Sequence, residues 1–482
     1  VQQQGESLTM TLIDTAGKLL PPRYAARLMP LFALLATLMT ATDETSAAQR
    51  MAITAFTIRV VSAAIAFASQ IILARLMGEF EYGVFVFVWV IAVILGNLSC
   101  LGFHTAVIRF LPQYRTDGAD EAIRGLTATA RIFAMISATL IAASGIAALY
   151  LLGDKIESYY IQPLFVGAFI LPMIALGDVL DGTARANGWP VHALAPTYIV
   201  RPLLILAFVA CAIGLGRMAD ANTAILAALA AAYLTTIIQF FVITGKLRHR
   251  FPVRGVEIHF RTWLMVAFPI FLIEGFYFML TNADVIIVGL YLPPEKVAVY
   301  FAAAKTMALV HFVYFAVKAA AAQRFSSLVS GNDRTALAAF ARQTVQWTFW
   351  PSLLVGGMVI LAGPFLLSLF GPAFREGHMI MIVLFCGIIA KAMIGPGEVL
   401  LTMAGEHKIC AAIYAVALTA NLGLNVTLIP AWGLLGGATA TASAMVIEAS
   451  LLHIIIRRRL GIVMFVASGP VSHRGHSGTE AG

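Results

Sequence analysis

Charge is what this sequence has least of. Only 12% of its 482 residues are Asp, Glu, Lys or Arg, 60% are hydrophobic, and the mean hydropathy is +0.88. Soluble domains carry about 25% charged residues, so this chain cannot hide its apolar surface in a single water-exposed fold. Long polar loops are missing as well. With no Gly-x-x-x-x-Gly-Lys-Ser/Thr loop and no connection long enough for a nucleotide domain, an ATP-driven mechanism within the chain is not expected. The four cysteines, Cys100, Cys211, Cys386 and Cys410, lie in apolar stretches without metal-ligand spacing. They read as small packing residues, and neither a metal nor a cofactor is expected. A His-rich cluster, a Cys/His pair and a sizeable loop with catalytic groups are all absent, which argues against an enzyme. No nucleic-acid motif is present. The net charge of +8 sits in clusters beside apolar runs, where it suits anionic lipid headgroups.

What is there is a series of apolar runs. A membrane-crossing helix needs about 20 mostly apolar residues. Twelve such stretches occur, at 51–76, 82–108, 123–152, 161–182, 192–214, 222–246, 262–291, 296–323, 340–370, 378–403, 408–429 and 433–456. The fold class expected is therefore an all-α polytopic membrane protein. Basic residues mark one side. If the first span starts in the cytoplasm, loops on that side hold seventeen Lys and Arg, from Arg109 to Arg474, and the opposite loops hold Lys155, Arg217, Lys296 and Arg375. That bias predicts both ends of the bundle in the cytoplasm. Residues 1–50 contain "LMPLFALLATLMTAT", preceded by Lys18, Arg23 and Arg27 in the manner of a signal peptide. They are read as an interfacial segment or a misassigned start. The tail 459–482, rich in Gly, Ser and His beyond Val466, reads as largely disordered.

An internal repeat organises the spans. "LARLMGEFEYGVF" (73–85) matches "VGLYLPPEKVAVY" (288–300) at an offset of 215, and "GDVL" (177–180) matches "GEVL" (397–400) at 220. Both pairs keep the same order. Two six-helix lobes follow, 51–246 and 262–458, joined by the basic linker 247–261 and related by an axis along the membrane normal.

The quoted hairpins also carry a resemblance. "ASQIILARLMGEFEYGVFVF", "ADVIIVGLYLPPEKVAVYFAAAK" and "NLGLNVTLIPAWGLLGGATATASAMVIEASLLHIIIRRRLGI" resemble the polysaccharide (O-antigen and exopolysaccharide) flippases of the MATE-like MOP superfamily, over roughly residues 51–462. The resemblance implies two helical lobes around a central cavity. It also implies transport of oligosaccharides linked to polyprenyl diphosphate across the inner membrane, for lipopolysaccharide or exopolysaccharide synthesis. Lipid II flippases of this superfamily carry an Arg-Asp pair in the first helix. Ser69 and Gln70 stand at the matching positions here, which argues against that branch.

Charges inside spans are expensive and need a partner or a wet cavity. Arg75, Arg131 and Lys318 are expected to snorkel. Asp181 and Arg185 are expected to pair along one helix, with Asp178 joining them. Arg59, Arg201, Lys305 and Lys391 lie deeper, two in each half, and are the candidate substrate-binding residues. Arginine grips phosphate oxygens bidentately, and lysine supplies a mobile point charge. Their alternative is structural pairing with Glu274, Asp284 or Glu398. Those three acids are in turn the candidates for ion coupling. Lys391 and Glu398 are seven residues apart and are expected to bridge through water. Gln70, Asn97, Tyr198, Gln239, Tyr277 and Asn282 could hydrogen-bond or stack on a sugar.

The expected function is a flippase for a lipid-linked oligosaccharide, working by alternating access. Its alternatives are a multidrug or metabolite antiporter and, of another class, a membrane polymerase or ligase. Expected partners are the lipid-linked substrate, membrane lipids and, by family analogy, a polymerase and a chain-length regulator.

Overall fold

A computed structural model describes residues 44–467 except 253, 254 and 332. The segment 1–43 and the tail 468–482 lie outside the described residues, and with them most of the stretch read as interfacial. Among the described residues the regular elements are all helices.

The first helical stretch, α1 (Glu44–Leu98), is interrupted at Gly78, which has φ 77° and ψ 172°. A straight helix of 55 residues would reach about 80 Å, against about 30 Å of hydrocarbon. The chain doubles back instead. The Tyr82 hydroxyl donates to Gln70 Oε1 at 2.8 Å, although twelve residues of continuous helix would separate them by about 18 Å. Gly78 supplies the left-handed φ that the turn needs. The motif "LMGEFEYG" is thus the tip of a helical hairpin with limbs 58–77 and 79–98.

After it come α2 (Phe103–Thr116), α3 (Asp120–Leu152), α4 (Ser158–Ala168), α5 (Leu171–Ala186), α6 (Pro190–Ala195), α7 (Arg201–Gly214) and α8 (Ala221–Arg250). The rest are α9 (Phe260–Leu280), α10 (Ala283–Tyr291), α11 (Pro294–Met307), α12 (His311–Ser330), α13 (Arg334–Leu361), α14 (Gly363–Phe370), α15 (His378–Ala392), α16 (Gly397–Met403), α17 (His407–Trp432) and α18 (Leu434–Leu460). Nine described helical stretches are long and apolar enough to cross a membrane, and two bent pairs, α4 with α5 and α11 with α12, bring the number to eleven. The folded-back first stretch accounts for two crossings, so the twelve expected runs each find a helix. The chain is a multi-pass membrane protein.

Small residues set the close packing. α3 buries Ala122, Leu126, Ala130, Ala134, Ala138 and Ala142, one every four residues. Such a stripe lets helix backbones approach closely where lipid provides no hydrophobic drive. The two repeated hairpins pack on each other at their tips. A Cβ at Gly83 would sit 1.8 Å from the Pro294 carbonyl, and one at Gly289 would meet the Phe87 ring at 2.3 Å. Phe67 packs edge-on against Phe370. Arg75 donates to the carbonyls of Leu369 and Ser368, both at 2.6 Å, so it caps α14 rather than simply snorkelling.

At the opposite, basic end the halves meet mainly through α9. Ala267 lies over Gly102, and Trp263 Nε1 donates to the Tyr114 hydroxyl at 2.9 Å. Among the described residues, α12, α13 and α16 do not pack extensively on α2, α5 or α6. At the hairpin end α1 packs on α10, α11 and α14, whereas toward the basic end, among the described residues, α9 is the main element of the second half that packs on the first.

Two expectations need correction. Cys100 and Cys410 are buried as read, but Cys211 and Cys386 are exposed. The stretch just after α18 is also not loose. Met464 is fully buried, its carbonyl contacts His453 Nδ1 at 2.9 Å, and the Val466 amide donates to the Met393 carbonyl at 3.0 Å. This short return closes the basic end of the second half.

Candidate functional site

Several polar side chains are enclosed by protein and yet open to a water-sized probe. Lys305, Tyr198, Arg185, Glu274, Lys391 and His311 all have this property. A lipid-facing side chain would be open on one flank and unenclosed. Of these, His311 and Lys391 share the lining of one small pocket with Tyr277 and Tyr314, and the others lie on the inner sides of their helices.

In the first half, α5 brings Asp178, Asp181 and Arg185 to one face. Arg185 Nε donates to Asp181 Oδ1 at 3.0 Å, and its NH2 bonds the other oxygen. The expected i, i+4 pair therefore forms. Asp178 does not join it and accepts from Asn97 Nδ2 at 3.0 Å instead. Arg201 follows a single π turn, Pro196–Val200, just past α6. Prolines at 196 and 202 each remove a backbone donor there, which loosens the ladder. The side chain turns inward and is 6% exposed. It lies against Gly177, where a Cβ would be 3.3 Å from Arg201 NH2. Among the described residues Arg201 has no hydrogen-bond acceptor and no ion-pair partner; its Nε is buried and unbonded. Asp178 and Tyr198 are the groups within electrostatic reach. Arg59 is exposed and also within electrostatic reach of Tyr198.

Glu274 belongs to α9 but meets the first half. It accepts from Thr105 Oγ1 at 2.8 Å and lies 3.2 Å from His104 Nε2. It thus joins the halves across the seam rather than pairing with one of the four cations.

The second half is arranged differently. Lys391 Nζ lies 2.6 Å from Glu448 Oε1, and Lys318 Nζ lies 3.2 Å from Glu398 Oε1. Lys391 and Glu398 thus each have a direct partner of their own, while remaining within electrostatic reach of each other. They do not share one helix face, because the helix ends at Ala392 and restarts at Gly397, across Gly395 at φ 68° and Pro396. Lys318, expected to snorkel, is half of one pair. Tyr314 donates to Glu398 at 2.5 Å. The Tyr277 ring lies 5.6 Å from Lys391 Nζ and 5.9 Å from Lys318 Nζ. Asp284 is buried among hydroxyls, accepting from Tyr300 at 2.8 Å and Thr441 at 3.2 Å, with the Val285 amide at 2.9 Å. Lys305 reaches over the Phe301 ring at 5.0 Å and, among the described residues, has no carboxylate within ion-pair range.

Among the other expected contacts, Arg131 does not snorkel. It donates to Thr244 at 2.9 Å and stacks over Phe240 in the α3–α8 interface. Of the sugar candidates, Tyr198 and Tyr277 face open space. Gln70, Asn97, Gln239 and Asn282 spend hydrogen bonds on Tyr82, Asp178, the His192 carbonyl and the Phe278 carbonyl. Sequence reasoning missed His104, Tyr314 and the partnership of Glu448. The Gly-Pro at 395–396 was the available signal for the helix break.

Comparison with known proteins follows from this architecture. The fold matches a multidrug-resistance MATE transporter of the MOP superfamily in an inward-facing conformation, with TM-score 0.70 at 13% identity, covering 83% of this chain and 94% of that one. The lipid II flippase MurJ, in an inward closed conformation, matches with TM-score 0.65 at 15% identity, covering 84% and 87%. A MOP superfamily transporter from Pyrococcus furiosus, described as having a binding pocket of reversed polarity, gives 0.61 at 16%, covering 88% and 97%. No curated protein matches the sequence. The MatE family model matches residues 269–427, and the model described as polysaccharide biosynthesis protein matches residues 49–329, more than half of the sequence. By that match, the chain belongs to the polysaccharide biosynthesis protein family.

Proposed function

We propose that this protein is a flippase that carries a polyprenyl-diphosphate-linked oligosaccharide across the cytoplasmic membrane for surface polysaccharide synthesis. The observation that carries the proposal is Arg201, a buried guanidinium in the first half with no acceptor of its own. Burying a charge without a partner is costly. A diphosphate passing through the cavity supplies the oxygens that the protein withholds, and arginine can grip them bidentately. Lys305 faces the same space without a carboxylate, and Arg59 adds a third cation on the first limb of α1. The tail of the substrate stays in lipid while the headgroup crosses.

The basic end faces the cytoplasm in this reading, by the charge bias of the loops. The seam, closed at the hairpin end by the packed tips and joined at the basic end mainly by α9, is then read as the state that loads substrate. Residues 51–246 and 262–458 act as the two rocking lobes, and 247–261 links them. Asp284, Glu274 and Glu398 are the acids available for coupling to an ion gradient. A polymerase and a chain-length regulator are the expected neighbours in the pathway. The hydroxyl-lined Asp284 is the specific feature that favours the second reading, a cation-coupled antiporter of drugs or metabolites.

Deletion of the gene in its host, followed by extraction of isoprenoid lipids, separates the two. The flippase reading expects an oligosaccharide diphosphate lipid to accumulate while the surface polymer disappears. Unchanged lipid intermediates with heightened drug sensitivity would replace it with the antiporter.

A further inference from the structure

An apolar groove lies on the outer flank of the first half. It is bounded by the second limb of α1 (Val88, Ile91, Leu95), the last third of α3 (Leu149, Leu152) and α4 (Leu164), and its volume is about 630 Å³ counted to the open mouth. Its origin is a change along α3. The alanine stripe holds this helix to the bundle as far as Ala142, and no residue of α3 beyond Ala142 is buried. Gly145, Ala148, Gly167 and Ala168 keep the floor low, and a Cβ at Gly145 would meet nothing within 4 Å.

The groove sits within the membrane-crossing lengths of three helices, in the half of the bilayer nearest the hairpin tips. Water cannot satisfy itself there, and an empty groove would forfeit the dispersion contacts of its walls. Only hydrocarbon fills it. The chain of a substrate carried between the halves would leave by the seam, whereas every residue lining the groove belongs to the first half. Its mouth ends at Leu152 and Ile156, and the exposed Asp154, Lys155 and Glu157 follow at once. That trio offers one cation to a phosphate and two carboxylates to an ammonium.

We infer that this groove is a binding site for one acyl chain of a zwitterionic phospholipid, with the headgroup at Asp154, Lys155 and Glu157. The position gives the lipid a task. Val88 lines the groove, and its neighbour Phe87 packs over Gly289 in the hairpin-end seal. A bound chain therefore backs the limb that closes the seam.

The test is native mass spectrometry of the full chain released from nanodiscs of phosphatidylethanolamine or of phosphatidylglycerol. Gly145→Phe and Leu149→Trp fill the groove, and Ile136→Phe adds the same bulk on an exposed part of α3 outside it. Matching thermal melts select folded variants. The wild type and Ile136→Phe should retain one phosphatidylethanolamine that both filled variants lose, with at least about threefold lower retention in phosphatidylglycerol. Equal retention by wild type and filled variants overturns the site. So does a retained species with the mass of an isoprenoid phosphate, and equal retention of the two phospholipids overturns the headgroup assignment.

Discussion

Two deep cations on opposite sides of the seam, Lys391 and Arg201, are held in opposite ways. In the second half Lys318 and Lys391 each have a glutamate, Glu398 or Glu448, and Tyr277 and Tyr314 fill the space between them. In the first half Arg201 is just as enclosed and has no acceptor. Yet each half contributes one of the hairpins that meet at the same seam. The contrast teaches where to look for a ligand. A paired charge is already satisfied and can only be exchanged at a cost. An unpaired one is held ready, and the protein tolerates its desolvation because something else will complete it.

That contrast can be broken most severely at the seam itself. Gly83→Val would drive a side chain into the Pro294 carbonyl, because even a Cβ lies within 1.8 Å of it. The hairpin tips could then no longer seal. Transport should be abolished while the protein still inserts, as read by loss of surface polymer and by free accessibility of a cysteine placed beside Phe87.

Next in size is Lys391→Met. It leaves Glu448, 1% exposed, as an uncompensated buried charge, at a cost of about 3–5 kcal/mol. Thermal unfolding in detergent should report the loss, and the double change Lys391→Met with Glu448→Leu should recover most of it. The equivalent change at Lys318 should cost less, about 1–2 kcal/mol, because that lysine is more than a third exposed and solvent screens the pair.

Arg201→Met sharpens the comparison from the other side. No ion pair is broken, so unfolding should shift by less than about 1 kcal/mol in either direction, yet transport should fall at least about tenfold as the bidentate grip is lost. Arg201→Lys should restore part of it. A large stability loss in Arg201→Met, of the kind expected for Lys391→Met, would show that the two cations do not differ in the way claimed.

The smallest effect is expected at Asp284. Asn is isosteric and can still accept from Tyr300 and Thr441, so folding should be almost unchanged. If Asp284 carries the coupling ion, Asp284→Asn should abolish the dependence of transport on an imposed pH gradient. Retained dependence would move that role to Glu274 or Glu398.

The membrane spans were readable because each is a continuous apolar run, and lipid allows little else. The hairpin was readable from Gly78 and its acidic neighbours, since a turn between two spans needs a permissive φ and water-seeking side chains. The match between the two hairpins was visible in the sequence, but not that Gly83 would lie under Pro294. Charge partners were much less legible. Asp181 and Arg185 could be paired because both lie on one helix, four residues apart. Lys391 could not be assigned to Glu448 in the same way, because 57 residues and a helix turn separate them. Spacing pointed to Glu398 and was defeated by the break at Gly395-Pro396. His104 with Glu274 joins opposite halves, a contact that no local pattern encodes.

The most direct measurement is the transfer of a purified polyprenyl-diphosphate oligosaccharide across proteoliposomes holding wild type or Arg201→Met, with both proteins first shown to melt at the same temperature. The account predicts transfer by the wild type and little by the variant. Transfer at the same rate by both would contradict it, because the unpaired arginine would then be a tolerated structural charge and not the grip on the headgroup.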